Sequence, residues 1–197
     1  GPCGPDSETY YGRGDKYDPV GLGERLFFEV MENNKYLELW NNVISQYDAK
    51  DGFDRRDFKE LPQKNIDTGM GLERLVSLIQ DGETNFDTDL FLPYIHATEK
   101  YTSVKYEENK MAFRVIADHI RTCTFAISDG ATFSNEGRGY DLRRVLRRAM
   151  RYARVIGIEK PFLYELVDEV CENMKGFYPY LMEQKEFVKK LIKSEEE

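Results

Sequence analysis

Cysteine and histidine are scarce in this sequence: three cysteines (Cys3, Cys123, Cys171) and two histidines (His96, His119) in 197 residues. The cysteines are odd in number and far apart, which argues against a disulfide framework and for a reducing, cytoplasmic setting. Neither histidine belongs to a cluster that could complete the ligand set zinc requires, so each reads as a packed or solvated side chain and no zinc or other metal site is expected in this segment. Long apolar runs are missing too. None approaches the ~20 residues of a helical membrane span, and no basic–apolar opening reads as a signal peptide. The chain also lacks an initiating Met. It opens on the rigid turn string Gly1-Pro2-Cys3-Gly4-Pro5, from which a fragment is expected. No repeat recurs at a fixed period.

What is present is enough for a sizeable core: 41% of residues are hydrophobic, 13% aromatic and 32% charged. The net charge of −8 looks wrong for a nucleic-acid binder, but it averages two unlike regions. Residues 111–157 hold nine arginines (114, 121, 138, 143, 144, 147, 148, 151, 154) against four acids (Asp118, Asp129, Glu136, Asp141), a local +5 that leaves −13 for the remainder. Charges beyond about 8 Å are screened at physiological salt, so a basic face on an acidic chain can still attract a polyanion.

The pattern predicts mixed α/β structure first, then helices. Residues 1–20, rich in Gly, Pro, Asp and Tyr, read as turns and loops. Phe27-Phe28-Glu29-Val30 and Tyr36-Leu37-Glu38-Leu39-Trp40 read as strands joined by a turn at Asn33-Asn34, and the extended run continues from Asn41 to Tyr47. A short strand from Leu61 to about Asp67 leads through Thr68-Gly69-Met70-Gly71 into a helix with Leu72, Leu75, Val76, Leu78 and Ile79 at helical spacing, stopped by Gly82. A second helix is expected from Thr88 to about Tyr101, with Leu90, Tyr94 and Ile95 inward, then a polar link over 102–108. From Asn109, the stripe Ala112, Val115, Ile116, His119, Ile120, Cys123 is helical. A loop over 130–139, a helix from about Tyr140 to Ile156, a helix with Pro161 in its first turn and a charged helix over 183–197, frayed from Ser194, complete the reading.

Asp67-Thr68-Gly69-Met70-Gly71-Leu72-Glu73-Arg74 is the densest signal. A strand delivers an acid, two glycines allow close backbone approach, and a helix presents an arginine whose planar fork suits phosphate. Spacing alone leaves a plainer alternative: the glycines only make a tight turn, Asp67 caps the helix and Arg74 solvates it.

These residues resemble motif 3 of class II aminoacyl-tRNA synthetases in its alanyl form. Gly1-Pro2-Cys3-Gly4-Pro5 with Ser7-Glu8 resembles a loop of the same family, with Asp6 where that loop usually has a second Cys. Leu39-Trp40-Asn41 with Val43 and Gln46 resembles its amino-acid-pocket strand. The stretch from Ala112 to Arg121, and Ser134-Asn135-Glu136-Gly137-Arg138-Gly139-Tyr140 running into Leu142-Arg143-Arg144, are also of alanyl type.

The resemblance implies an α+β chain: residues 1–105 as the C-terminal part of a class II antiparallel-sheet aminoacylation domain, and 106–197 as an incomplete all-α tRNA-recognition segment. It implies activation of alanine by attack of its carboxylate on the α-phosphate of ATP, then transfer to the terminal ribose of an alanine-accepting tRNA. Alignment and charge neutralisation dominate such a step. By resemblance, Arg74 grips the ATP tail beside Gly69 and Gly71, and Asp67 holds the alanine ammonium. Asn41 bonds the alanine carboxylate or carbonyl, and Val43 and Gly69 line the methyl pocket. Magnesium bridges phosphates through ligands not identified. The family's motifs 1 and 2 would precede Gly1, and its zinc-dependent editing domain would follow Glu197, so this segment alone is expected to be inactive. Editing matters because a small apolar pocket separates near-isosteres by only ~10²-fold.

Arg143, Arg144, Arg147, Arg148, Arg151 and Arg154 recur so that most share one stripe of a helix. The resemblance makes them, with Arg138, contacts to acceptor-stem phosphates, which position without specifying; a solvated, internally paired face is the alternative. Specificity in the family comes from a G–U wobble pair, whose guanine amine is exposed in the minor groove. Asn135 is the match for the residue that accepts from it. Two competitors remain open: an RNA-binding module with a vestigial motif 3, and a helical scaffold with no ligand.

Overall fold

Side chains alternate along a strand, so the long extended stretch after residue 35 has to present two different faces. The computed structural model describes residues 1–29 and 33–197. It resolves into two compact units, Gly1–Thr88 and Asp89–Glu197.

In the first unit, strands β1 (Pro2–Cys3) and β2 (Asp6–Gly12) both pair antiparallel with one side of β3 (Tyr36–Asp48), and β4 (Lys59–Met70) pairs antiparallel with the other. The extended run expected over 36–47 is thus one strand of 13 residues. Residues 6–12, expected as loop, are its partner instead: Thr9, Tyr10 and Tyr11 have the bulk that favours a pleated surface, and pairing overrides the polar neighbours. Phe27 and Phe28 fall in a short helix, α1 (Arg25–Phe28), rather than a strand. Leu26 is buried there, and the Phe27 ring stands edge-on to Tyr10 and Tyr36, at 4.8 and 5.7 Å between centroids, so packing outweighs β-propensity. Val30, the end of that expected strand, lies outside the described residues. Strand β4 runs on through Thr68-Gly69-Met70, and only Gly71 turns the chain, as N-cap of α2 (Leu72–Ile79). Pro62 sits where the β3–β4 register shifts, a place that spares the missing N–H.

The segment before β3 is anchored by a buried ion pair. Asp18 meets the Lys35 ammonium at 2.9 Å and accepts from the N–H groups of Leu22 and Gly23 at 2.8 and 2.7 Å. The lysine first, and then these amides, hold the Asp18 carboxyl down to about 2.

The second unit is all helical: α3 (Leu92–Thr98), α4 (Lys110–Ser128), α5 (Gly137–Val155), α6 (Leu163–Met174) and α7 (Tyr180–Glu196). Helix α3 starts at Leu92 rather than Thr88, because Pro93 is admissible only in a first turn. Tyr94 and Ile95 are fully buried, and α3 packs on α4 and α6. The division between the two compact units accordingly falls between Thr88 and Asp89. Helix α4 is central and packs on all four of the others. Its expected stripe is buried, from Ala112, capped by the Asn109 side chain, to Cys123. Burial pushes the Cys123 thiol up to about 12 and that of Cys171 up to about 11, so both remain protonated packing groups.

Two boundary expectations are corrected at the end of the chain. Pro161 precedes α6 instead of opening it, and Phe162 is the N-cap residue. The backbone N–H groups of Phe162, Leu163 and Tyr164 donate to the Glu196 carboxylate at 3.0, 2.9 and 3.0 Å. The last turn of α7 is therefore docked on a helix N-terminus and is not frayed; burial pushes the Glu196 carboxyl above its ordinary value, and the three amides oppose that shift.

Two measurements check this packing. Leu146, fully buried on α5, is expected to cost ~2–5 kcal/mol on change to Ala, read by chemical denaturation. Asp18 ionises more readily folded than unfolded. Its contribution is therefore present above the ordinary carboxylate range and is lost as pH falls through about 2. Lys35→Met is thus expected to lower the thermal midpoint at neutral pH, with the gap from wild type closing in strong acid. A gap independent of pH would mean that charge is not what anchors this segment.

Candidate functional site

The register of β3 places four of the expected site residues on one sheet face. Asn41 lies opposite Gly69, and Val43 lies opposite Asp67. Because 41 and 43 are two apart on one strand and 67 and 69 on the other, all four side-chain positions point the same way. On the other side of β3, Glu8 faces Asn41 and Asp6 faces Val43. The opposite face carries Trp40, Asn42 and Thr68: the Trp40 indole donates to the Thr68 hydroxyl, which donates to Asn42 Oδ1 at 2.9 Å.

A bulge extends the site. Thr9 pairs with Trp40, but Tyr10 pairs with Glu38, so Leu39 is the extra residue. Parity therefore changes along β3, and Glu38 joins the face that holds Asn41. The Tyr10 phenol donates to Glu8 Oε2 at 2.6 Å, which pushes that phenol above its ordinary value, and Asn41 Nδ2 donates to Glu8 Oε1 at 3.2 Å. Asn41 Oδ1 is buried and has no donor among the described residues, an acceptor that is costly until something supplies an N–H.

Arg74, in the first turn of α2, reaches this end of the sheet. Its Nη1 donates to the Glu38 backbone oxygen at 3.0 Å and meets the Glu38 carboxylate at 3.2 Å. Glu8, Tyr10, Phe27, Tyr36, Glu38 and Arg74 are among the residues that line an open cleft of about 790 Å³. The Asp67 side chain is exposed, has no hydrogen bond or ion pair among the described residues, and does not cap α2, whose N-cap residue is Gly71. The two glycines differ in kind. A Cβ at Gly71 would press on the Arg74 side chain at 3.3 Å, whereas none of the described residues lies within 4 Å of one at Gly69. The fold itself therefore does not require glycine at 69. Glu8, Tyr10 and Glu38 escaped the sequence reading. Their signal was the alternation of Glu8 with Tyr10, obscured by the Gly- and Pro-rich opening, and the bulge has no sequence signature.

The arginines lie in the second unit. Asn135 and Arg138 are exposed, as are Arg144, Arg147, Arg148, Arg151 and Arg154 on α5, while Leu142, Leu146, Ala149 and Ala153 are buried. Helix α5 begins at Gly137, earlier than expected, and Gly139 is forced. A Cβ there would lie 2.4 Å from Ser134 Oγ and 2.5 Å from the Thr132 carbonyl oxygen, so the loop carrying Asn135 folds tightly against the start of the helix. Arg143 is half-buried and Arg147 exposed, and both meet the Glu195 carboxylate at 3.0 Å. Arg143 Nη1 also donates to Asn135 Oδ1 at 2.5 Å. His119 forms part of the wall of an open cleft of about 580 Å³ lined also by Asp141, Arg144, Val145, Arg147, Arg148 and Arg151.

The glycines give a clean contrast. Gly69→Ala is expected to leave the unfolding free energy within ~0.5 kcal/mol of wild type. Gly139→Ala should destabilise by ~1–3 kcal/mol, as overpacking against fixed backbone does. Equal denaturation midpoints for the two variants would contradict this account of the loop.

Over residues 1–197 the sequence matches the family described as tRNA synthetases class II (A). It is 53% identical to an alanine–tRNA ligase of Streptococcus sanguinis, 52% to one of Streptococcus pneumoniae and 51% to one of Streptococcus mutans, each over 100% of this chain. The chain spans 23% of the length of each of these relatives. An antiparallel sheet that ends in a glycine-marked strand and hands on to an arginine-bearing helix, followed by a helical unit, now has its counterpart in this match: the chain belongs to the class II (A) tRNA synthetases.

Proposed function

We propose that this chain forms part of an alanine–tRNA ligase, contributing one wall of the site where ATP activates alanine and a surface that receives the acceptor stem of the cognate tRNA. The observation that carries the reading is the shared face on which Asn41, Val43, Asp67 and Gly69 form two adjacent cross-strand pairs, with Arg74 and Glu38 brought alongside by the bulge. The empty space over Gly69 fits a small side chain, and Val43 offers it an apolar flank. The Asp67 carboxylate opposite Val43 can hold an ammonium. Asn41 brings a spare N–H for a carboxylate and an undonated oxygen for a proton donor.

Among the described residues Arg74 is tied through Nη1, which leaves Nε and Nη2 for phosphate oxygens, in the fork geometry that phosphate favours. Glu38 holds the guanidinium in place before any ligand arrives. Preorganisation of this kind is what charge stabilisation in phosphoryl chemistry needs. Magnesium takes oxygen ligands, a chemistry that the carboxylates of Glu8 and Glu38 match, and when bound it neutralises phosphate charge.

In the second unit, Arg138, Arg144, Arg148 and Arg151 are the exposed cations we assign to backbone phosphates. Arg143 and Arg147 share Glu195 and are therefore only partly available. Asn135 is assigned to the guanine amine of the wobble pair. Its Oδ1 has two lone pairs, and Arg143 uses one.

The test uses a full-length ligase carrying this sequence. Arg74→Ala is expected to weaken alanine activation by ~2–4 kcal/mol, the scale for one preorganised donor, and Asp67→Asn to raise the alanine requirement. Near-normal pyrophosphate exchange by both would leave a scaffold or an RNA-binding module as the better reading. Asn135→Ala should cost about 1–3 kcal/mol for the wobble-bearing tRNA and little for one with a G–C pair there. Arg148→Ala should instead weaken both tRNAs alike and flatten the salt dependence.

A further inference from the structure

We infer that Glu195 is a positioning residue for base recognition: acting through Arg143, it fixes the amide of Asn135. The inference rests on the reading of Asn135 given above. It starts from a conflict between sequence and structure. A run of glutamates in the last turn of a helix should be solvated, yet the Glu195 side chain is only 11% exposed. Its two oxygens accept from Arg143 and Arg147, both at 3.0 Å. The adjacent Glu196 closes on the backbone amides of Phe162, Leu163 and Tyr164. The last turn of α7 is thus held from two sides, and the Glu195 carboxylate is a fixed point.

Arg143 transmits that fixity. Its Nε donates to Glu195 and its Nη1 to Asn135 Oδ1, so one rigid, planar group spans the two. The side chain is 22% exposed, against 68% for Arg144, which lies 3.9 Å from the Asp141 carboxylate and over the Tyr140 ring. Arg143 therefore acts as a strut in a row whose other members face solvent.

The polarity of the readout follows. An exposed asparagine amide can present either its oxygen or its NH₂. The Arg143 donor selects the orientation that keeps the oxygen beside the guanidinium, with its second lone pair free for a guanine amine. Without the strut, the amide can rotate and offer a donor to a donor. Binding would then also have to immobilise it. Glu195 consequently affects which base pair is read and not merely how tightly RNA is held.

The experiment measures aminoacylation kcat/KM for two tRNAs that differ only in carrying the wobble or a G–C pair, in a full-length ligase carrying this sequence. The readout is the ratio of the two values. Glu195→Gln keeps an acceptor but loses the charge that strengthens the bond, and is expected to lower the ratio by roughly 3–10-fold. Arg143→Lys, which keeps charge but cannot span both partners, should do the same, and it carries the test should Glu195→Gln fail to fold by its thermal midpoint. Asn135→Ala with Glu195→Gln should lower the ratio no further than Asn135→Ala alone. If Asn135→Ala collapses the ratio and neither Glu195→Gln nor Arg143→Lys moves it, Asn135 reads the base without help and the inference fails alone. If Asn135→Ala itself leaves the ratio unchanged, the reading of Asn135 fails and the inference with it. A Glu195→Gln enzyme that charges both tRNAs faster in equal measure would also overturn it, because Glu195 would then only compete with phosphates for the arginines.

Discussion

One extra residue in β3 decides which groups of the first unit can act together. Without the bulge at Leu39, strict alternation would put Glu38 on the face of Trp40 and Asn42, away from Asn41. With it, Glu38, Tyr10 and Glu8 stand on the face that carries the two cross-strand pairs, and Arg74 finds its carboxylate there. The same stretch of β3 receives the end of β4, since the Gly71 N–H donates to the Leu39 carbonyl oxygen at 3.3 Å. The bulge thus adjoins the point where strand gives way to α2. A slip of one residue in either strand would reverse every side chain and dissolve the site, while the ladder of hydrogen bonds stayed intact. The chemistry is therefore more sensitive to register than the fold is.

In the second unit the equivalent constraint is a close approach. Gly139 lets the 132–134 backbone lie against the first turn of α5, and this sets where Asn135 stands relative to Arg143, two turns further along the helix. The arginines then divide by their neighbours. Arg143 and Arg147 share a shielded carboxylate from α7, while Arg144 lies beside the Tyr140 ring at 5.8 Å with Asp141 at 3.9 Å, and Arg148 beside the Tyr152 ring at 5.8 Å. Paired and solvent-facing cations alternate along one helix, so internal pairing and a free basic face belong to different members of the same stripe.

Much of the fold was legible because its signals are local. The apolar stripe of α4, the continuous strand over 36–48 and the link from a glycine-bearing strand to an arginine-bearing helix can all be read from residue type and spacing. The misreadings were nonlocal. Residues 6–12 look like loop until β3 is beside them, and Phe27 looks like strand until Tyr10 and Tyr36 pack on its ring. The α7 terminus looks frayed until Glu196 finds the amides of α6. In the candidate site, Asp67, Gly69, Asn41 and Val43 were named from motif resemblance, and their common face is a consequence of register that no spacing in one strand reveals. Glu8, Glu38 and Glu195 were missed for a shared reason: an acid on an acidic chain carries no signal until its cationic or amide partner is placed.

That last point bears on how a chain of net charge −8 can present a basic surface. Screening limits each arginine to its near neighbours, so the count that matters is local. Glu195 subtracts from the local positive field at Arg143 and Arg147, and in electrostatic terms alone it weakens any attraction for a polyanion. Its compensation is geometric. A cation left free serves any phosphate, whereas a cation held by a carboxylate has a fixed direction and can orient a third group. Under the proposed function, the α5 stripe then divides its work between attraction and aim. Arg144, Arg148 and Arg151 supply a field that is indifferent to sequence, and Arg143 gives up part of its charge to settle which atom of Asn135 meets the base.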